Sequence, residues 1–275
     1  MTGSPLNILV CLKFIPDPNQ LQADAEGHPD LARAPFRIST FDENAIEAGL
    51  QLAAQNGGRV FGLSVLAGDM PPRDVLLRSL AMGLEALYLV KDENKNAVGP
   101  YRLALALAGA VRAIQAAENI SSFDVLITGE ASADQFNAQV GPRVAVALDI
   151  PAITYATKLA IEQGKLIAHR STENTSETLE ADLPALVTVG NEINQARIPT
   201  VLQVMGASKK PVKELPIGEL PGFDLEEPKD RPCLRTLDIT APPSSRKRII
   251  VVGDNPEEMA ANLLSLLGAD GEVKV

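Results

Sequence analysis

One stretch constrains the fold more than any other: FDVLITGEASADQFNAQVGPRVAVALDIP, Phe123 to Pro151. Val125–Thr128 is a short apolar run of the kind expected in a parallel strand covered on both faces. Gly129–Asn137 carries small residues, acids and amides with no apolar period. From Ala138 the pattern turns helical, with Val140, Val144, Ala147 and Leu148 on one face, until Asp149 and Pro151 end it. A polar loop therefore leaves the C-terminal end of a strand and enters a helix N-terminus. In open α/β sheets ligands bind there, and the free N–H groups of the helix suit an anion such as a phosphate. On this segment alone, an ordinary βα loop fits equally well.

The rest of the chain repeats the alternation. Further strands are expected at Asn7–Lys13, Arg59–Leu66, Ala86–Val90, Ala152–Ala156 and Ala185–Val189. A helix is expected from Phe41, with Ile46, Leu50 and Ala53 on one face, Asp42 and Glu43 in its first turn, and Gly57-Gly58 as its stop. Others are expected from Pro71 to Met82 and from Pro100 to Glu118. The fold class is α/β: a mostly parallel, Rossmann-like sheet with helices on both faces. Lys165–Arg170 and Glu177–Ala181 break the rhythm and read as an antiparallel hairpin around a polar tip.

After Thr200 prolines recur and periodicity fades, so the expected division is an α/β domain over 1–199 and a loop and extended arm over 200–275. The arm closes with a strand candidate, Arg246–Val252, and an amphipathic helix, Asn255–Gly268, with Asn255 as N-cap and Pro256 at the first helical position. Such an arm either docks on a partner or packs back on its own domain.

Composition removes several functions. A net charge of -10 argues against nucleic acid or an anionic membrane as the main partner. Cys11 sits in an apolar strand run, and with Cys233 the only other cysteine there is no disulfide framework, which suits a reducing cytoplasm. His28 and His169 read as surface residues and cannot build a His-rich metal site. The apolar run Leu6–Ile15 is too short to span a membrane and lacks the flanks of a signal peptide. The sequence contains no G-x-G-x-x-G, no G-x-x-x-x-G-K-[ST] and no G-x-S-x-G. Glu130 and Asp134 can be read as a carboxylate pair or as a cap and a hydroxyl acceptor. Nucleotide-site architecture without catalytic equipment points to a carrier or binding protein, with no acid/base catalytic residue to name.

ILVCLKFIPDP, FDENAIEAGLQLA, SLAMGLEALYLV, GEASADQFNAQVGP, IPAITYATKL, ARIPTVLQVMGASKKPV and RKRIIVVGDNPEEM stand in that order along nearly the whole chain. In this order and spacing the chain resembles the beta subunit of electron transfer flavoprotein, in particular its Fix-type branch. The family's beta-subunit signature stands here as Arg170, Glu173, Glu177 and Leu183–Thr188, with Asn174 and Thr175 at the turn where many relatives carry glycine or acid.

The resemblance implies a heterodimer with an FAD-carrying alpha subunit. It also implies an adenine nucleotide in the beta subunit, AMP in the mitochondrial-type branch and a second FAD in the bifurcating one. Carried over by position, the loop Ser132–Gly141 holds the phosphates, with Asp134, Asn137, Ala138, Gln139 and Val140 lining the site. Cys11, Leu12 and Lys13 meet the adenine through backbone groups, and Ser39 and the strand end Val65, Leu66 and Gly68 complete the pocket. The AMP branch reads Asn-Gln-Thr-Gly where this chain reads AQVG, and Val140 cannot donate a hydrogen bond. FAD is therefore expected in preference to AMP.

Arg197–Lys210 matches the family's partner-recognition loop, with Val201 at the anchor position and Met205, Lys209 and Lys210 beside it. The implied partners are flavin dehydrogenases and a quinone oxidoreductase, with bifurcation left open. A stand-alone adenine-nucleotide-binding regulatory module is the competing reading, and it has little use for a long Pro-rich arm.

Overall fold

Residues 5–68, 70–92, 99–224, 237–241 and 248–271 are described by a computed structural model of the chain. In chain order the elements are β1 (Leu6–Cys11), β2 (Phe14–Pro16), β3 (Phe36–Ile38), α1 (Thr40–Asn56), β4 (Gly58–Ala67), α2 (Arg73–Met82), β5 (Leu87–Asp92), α3 (Pro100–Ala117), β6 (Val125–Gly129), α4 (Val140–Leu148), β7 (Ala152–Ala156), β8 (Lys158–Glu162), β9 (Lys165–Ser171), β10 (Ser176–Asp182), β11 (Ala185–Val189), α5 (Val201–Ala207), β12 (Val212–Pro216) and α6 (Pro256–Ala269).

Strand β1 shows why the architecture is layered. Its side chains alternate between two cores: Ile8 and Val10 pack on one side, Leu9 and Cys11 on the other. Both sets are apolar, so the strand must be covered twice. α1 and α2 contribute Ala45, Ile46, Leu76 and Leu80 to the first core, where Leu166 and Ala168 of β9 also pack. α3 and α4 contribute Ala106, Leu107, Val111 and Val144 to the second.

Seven strands form one sheet in the order β12-β5-β4-β1-β6-β11-β7, and every neighbouring pair is parallel. The chain steps outward from β1 through β4 to β5, then returns to the other side of β1 to place β6. The strand order thus reverses between β1 and β6. β8, β9 and β10 form a separate antiparallel sheet, and β2 and β3 a small ribbon. The expected hairpin is β9–β10, with Arg170 opposite Glu177 and ion-paired to it.

Two elements differ from what periodicity suggested. Pro-rich sequence hid β12, which pairs with β5 as the sheet's edge strand and carries Pro216 at its end, where a missing N–H costs least. Arg248–Val252 forms no strand, and Arg246 and Lys247 lie outside the described residues. Ile249, Ile250 and Val252 are exposed there, and among the described residues no strand pairs with this segment. α6 forms as expected, with the Asn255 side chain accepting from the Glu258 N–H, but it buries none of its residues.

The helix after β6 sits unusually close to the sheet, and Gly141 permits it. A Cβ there would stand 2.6 Å from Thr188 Cγ2 and 2.7 Å from Thr128 Oγ1. A Cβ would face β6 and β11, so the glycine permits close helix–sheet packing. Gly141→Ala is expected to destabilise the fold by about 1–3 kcal/mol, the usual cost of overpacking a filled interior. Urea unfolding measures it, and an unchanged midpoint would contradict the packing.

Candidate functional site

The strand order reverses between β1 and β6, and it is outside the C-terminal strand ends at such a point that doubly wound sheets bind ligands. Two backbone N–H groups at those ends, of Lys13 in the link between β1 and β2 and of Gly129 at the last position of β6, point to one side chain. Both are satisfied by Asp42, in the first turn of α1. Its Oδ2 accepts from Lys13 N at 2.7 Å and its Oδ1 from Gly129 N at 3.3 Å. Asp42 is only 5 % exposed, and Gly129 lies so close that a Cβ would stand 2.7 Å from Oδ1. Burial pushes this carboxyl up to about 7, against the lowering effect of the two N–H groups and the Lys13 charge.

Two further contacts hold the loop that follows β6. Ser39, fully buried just before α1, accepts from Ala133 N at 3.3 Å and donates its own N–H to Lys13 O at 2.9 Å. Lys13 Nζ pairs with Asp134 Oδ2 at 2.6 Å. Burial pushes Asp134 up, but the Lys13 ammonium and the Ser132 hydroxyl outweigh it and hold the carboxyl below the usual carboxylate range. Glu130 is not paired with Asp134. It faces Glu192 across Gly190, and burial together with that second carboxylate raises it.

The far end of the loop combines strained backbone with an uncapped helix start. Phe136 and Ala138 adopt left-handed φ values of 51° and 52°, conformations that cost energy for residues with a Cβ and cluster at functional sites. Phe136 is exposed and meets Phe41 edge-on. α4 begins at Val140 with Gln139 as N-cap, no side-chain cap and no acid in its first turn. Its unsatisfied N–H groups and positive dipole end therefore have no internal anion. Gln139 Oε1 accepts from Arg143 Nε and Nη2 at 3.2 and 2.9 Å, which leaves only donors facing outward from that pair.

The structure ties Lys13 and Ser39 to the loop after β6 and gives the other sequence-derived residues different exposures. Cys11, Leu12 and Leu66 are buried in the two cores, so they can reach a ligand only through backbone atoms. Burial pushes the Cys11 thiol up to about 12, which keeps it protonated. Val65 and Val140 pack partly against the α3/α4 core. Gly68, at φ 119°, has open space where a side chain would stand. Ser132 and Asn137 lie on the loop, Asn137 exposed. Asp42 and Arg143 were not anticipated. An acid in a first helical turn reads as a dipole complement, and only the tertiary fold shows it reaching two strand ends. Arg143 has a local signal: it lies four residues after Gln139, on the same helix face.

The candidate recognition segment forms α5, closed at its start by Thr200 and Gln203 in a reciprocal capping box. Val201, Leu202 and Met205 are 77 %, 80 % and 65 % exposed, and Lys209 is also exposed. Arg197 and Lys210 turn back to their own fold. Arg197 forks onto Glu47 at 2.6 and 3.0 Å. Lys210 Nζ donates to Leu80 O and Leu84 O at 3.2 and 2.6 Å, capping the end of α2.

Because Asp42 is raised in the folded state from 3.8 to about 7, the native chain keeps a proton that the unfolded chain has already lost. Its contribution to stability is full below about pH 4 and falls as pH rises to about 7, by up to about 1.4 kcal/mol per pH unit. Asp42→Asn should remove that component, so the variant gains on the parent between about pH 5 and pH 8. Urea unfolding at the two values tests this, and equal pH dependence in both proteins would contradict it.

Among the described residues, no helix is long and apolar enough to cross a membrane. The sequence model of the electron transfer flavoprotein domain matches residues 31–220. The chain is 30% identical over 257 residues to the electron transfer flavoprotein subunit beta of Megasphaera elsdenii, covering 93% of this chain and 94% of that one. With the domain matched across most of its length, and a beta subunit matched nearly end to end, this chain belongs to the electron transfer flavoprotein family as a beta subunit.

Proposed function

We propose that the chain works in the cytoplasm as the beta subunit of a Fix-type electron transfer flavoprotein heterodimer. It binds an adenine nucleotide, FAD in preference to AMP, in the crevice between β1 and β6. The observation that carries the site is α4: a helix N-terminus at the strand-order reversal with neither side-chain cap nor acid of its own. The donors there are backbone N–H groups, the Gln139 amide and the Arg143 guanidinium, a set that fits a diphosphate. Lys13, Ser39 and Asp134 hold the loop in place, and the strand ends offer backbone groups to the adenine. The Val140 side chain supplies no donor, which weakens a monophosphate with few other contacts more than a dinucleotide.

Bound FAD would supply the redox chemistry. The protein's part is to bind, orient and exclude water, and no residue is assigned an acid/base step. Electrons would pass between flavin dehydrogenases and a quinone oxidoreductase. α5 presents its apolar face to these partners from a seat fixed by Arg197 and Lys210. Of the residues from 200 onward, β12 and Leu220 complete the sheet and its core, while α5 serves partner contact and α6, exposing Met259, Leu263 and Leu264, gives its apolar face to the alpha subunit.

Two outcomes are expected. The purified heterodimer should release two FAD and no AMP on denaturation, identified by mass, and Val140→Thr should shift occupancy toward AMP. One FAD with one AMP in the parent protein would overturn the cofactor assignment and leave the family assignment intact. Deleting residues 248–271 should abolish association with the alpha subunit while the sheet stays folded, and unchanged co-elution in gel filtration would contradict the role given to α6.

A further inference from the structure

We infer that Asp42 is a positioning residue of the nucleotide crevice, whose ionised carboxylate holds β1 and β6 in the binding-competent arrangement, so that a proton on Asp42 weakens nucleotide binding. The inference rests on the nucleotide reading above and adds a control over it.

The geometry separates this acid from an ordinary helix-terminal carboxylate. A first-turn acid usually satisfies the N–H groups of its own helix. Asp42 instead accepts from Lys13, in the link between β1 and β2, and from Gly129, the last residue of β6, on either side of the reversal point. Only the carboxylate can accept fully at both oxygens, since a protonated carboxyl turns one oxygen into a donor. Lys13 transmits the effect: its N–H is held by Asp42, its carbonyl by Ser39 N, and its ammonium by Asp134 on the nucleotide loop. Loss of the first contact loosens the base of the other two.

The groups facing Asp42 are few. Lys13 stands at the end of β1 and Asp134 on the loop after β6. The Cys11 thiol is pushed up to about 12 and stays neutral in the range that matters. On its own helix, Glu43 pairs with Arg37 and Arg78, and Glu47 with Arg197. Glu130, next to Gly129 and raised by burial and by Glu192, is the one other acid near the crevice that shifts in the same direction. Burial places the Asp42 carboxyl at about 7, inside the range a cell visits. Retaining a buried acid that costs stability when ionised is expected only where the ionised form has work to do.

The test uses the full chain and FAD, whose diphosphate does not change charge near neutrality. Two-dimensional amide NMR should show the Lys13 and Gly129 signals titrating together with a midpoint near pH 7, a readout that needs neither variant nor ligand. FAD should bind about tenfold more weakly at pH 6 than at pH 8, the ratio of ionised fractions for one group titrating midway. Asp42→Asn should bind at the low-pH level of the parent and lose the pH response, while Glu130→Gln should keep it. Independent titration of the two amides, a slope that survives in Asp42→Asn, or binding that tightens as pH falls would overturn the inference. FAD that binds at neither pH would overturn the nucleotide reading itself, and the inference with it, whatever the amides show.

Discussion

A single carboxylate joins the two halves of this sheet. Strand order reverses between β1 and β6, and the connections after them diverge, to α1 on one face and to α4 on the other. Diverging chains leave backbone donors that no ladder can satisfy, and a buried orphan N–H costs about 1–3 kcal/mol. Asp42 satisfies one on each side. It can do so because α1 starts beside β1 and aims its first turn at the gap. The arrangement at these strand ends therefore follows from topology and is tied together by one side chain.

Charge is layered around that point. Asp42 sits in the interior, Lys13 above it, and Asp134 on the loop outside. Farther along, the polarity changes: Gln139, Arg143 and the start of α4 present donors without a matching acceptor. The loop between them carries two left-handed residues with side chains, Phe136 and Ala138. Such strain persists only where surrounding contacts overdetermine the backbone. Here those contacts are the Ser39 hydroxyl, the Lys13–Asp134 pair and the close seat of Gly141 on Thr128 and Thr188. A fixed loop ahead of an uncapped helix N-terminus is the arrangement on which the proposed phosphate site rests.

Much of this was legible before any coordinates. The six expected sheet strands formed within about two residues at each end, because buried parallel strands read as continuous apolar runs. The four core helices were marked by proline, acid or glycine at their ends. The elements that escaped notice have weak local signals. β8 is short and half-buried, and β12 and α5 lie in Pro-rich sequence where tertiary pairing, not propensity, decides. In the site, residues adjacent in sequence were easy to group, whereas Asp42 joins Gly129 across 87 positions and Lys13 joins Asp134 across 121. Periodicity carries no information about such distances. Family resemblance placed Lys210 and Gly141 by position, and only the fold showed that Lys210 turns inward and that Gly141 lies against the sheet.

Hydrogen–deuterium exchange on the chain, with and without bound adenine nucleotide, tests most directly whether the β1/β6 crevice is the ligand site. Protection should rise at Cys11–Lys13 and through Gly129–Gly141, and stay unchanged in β8–β10 at the opposite side of the fold's first core. Protection confined to other segments, with these two unchanged, would contradict the account.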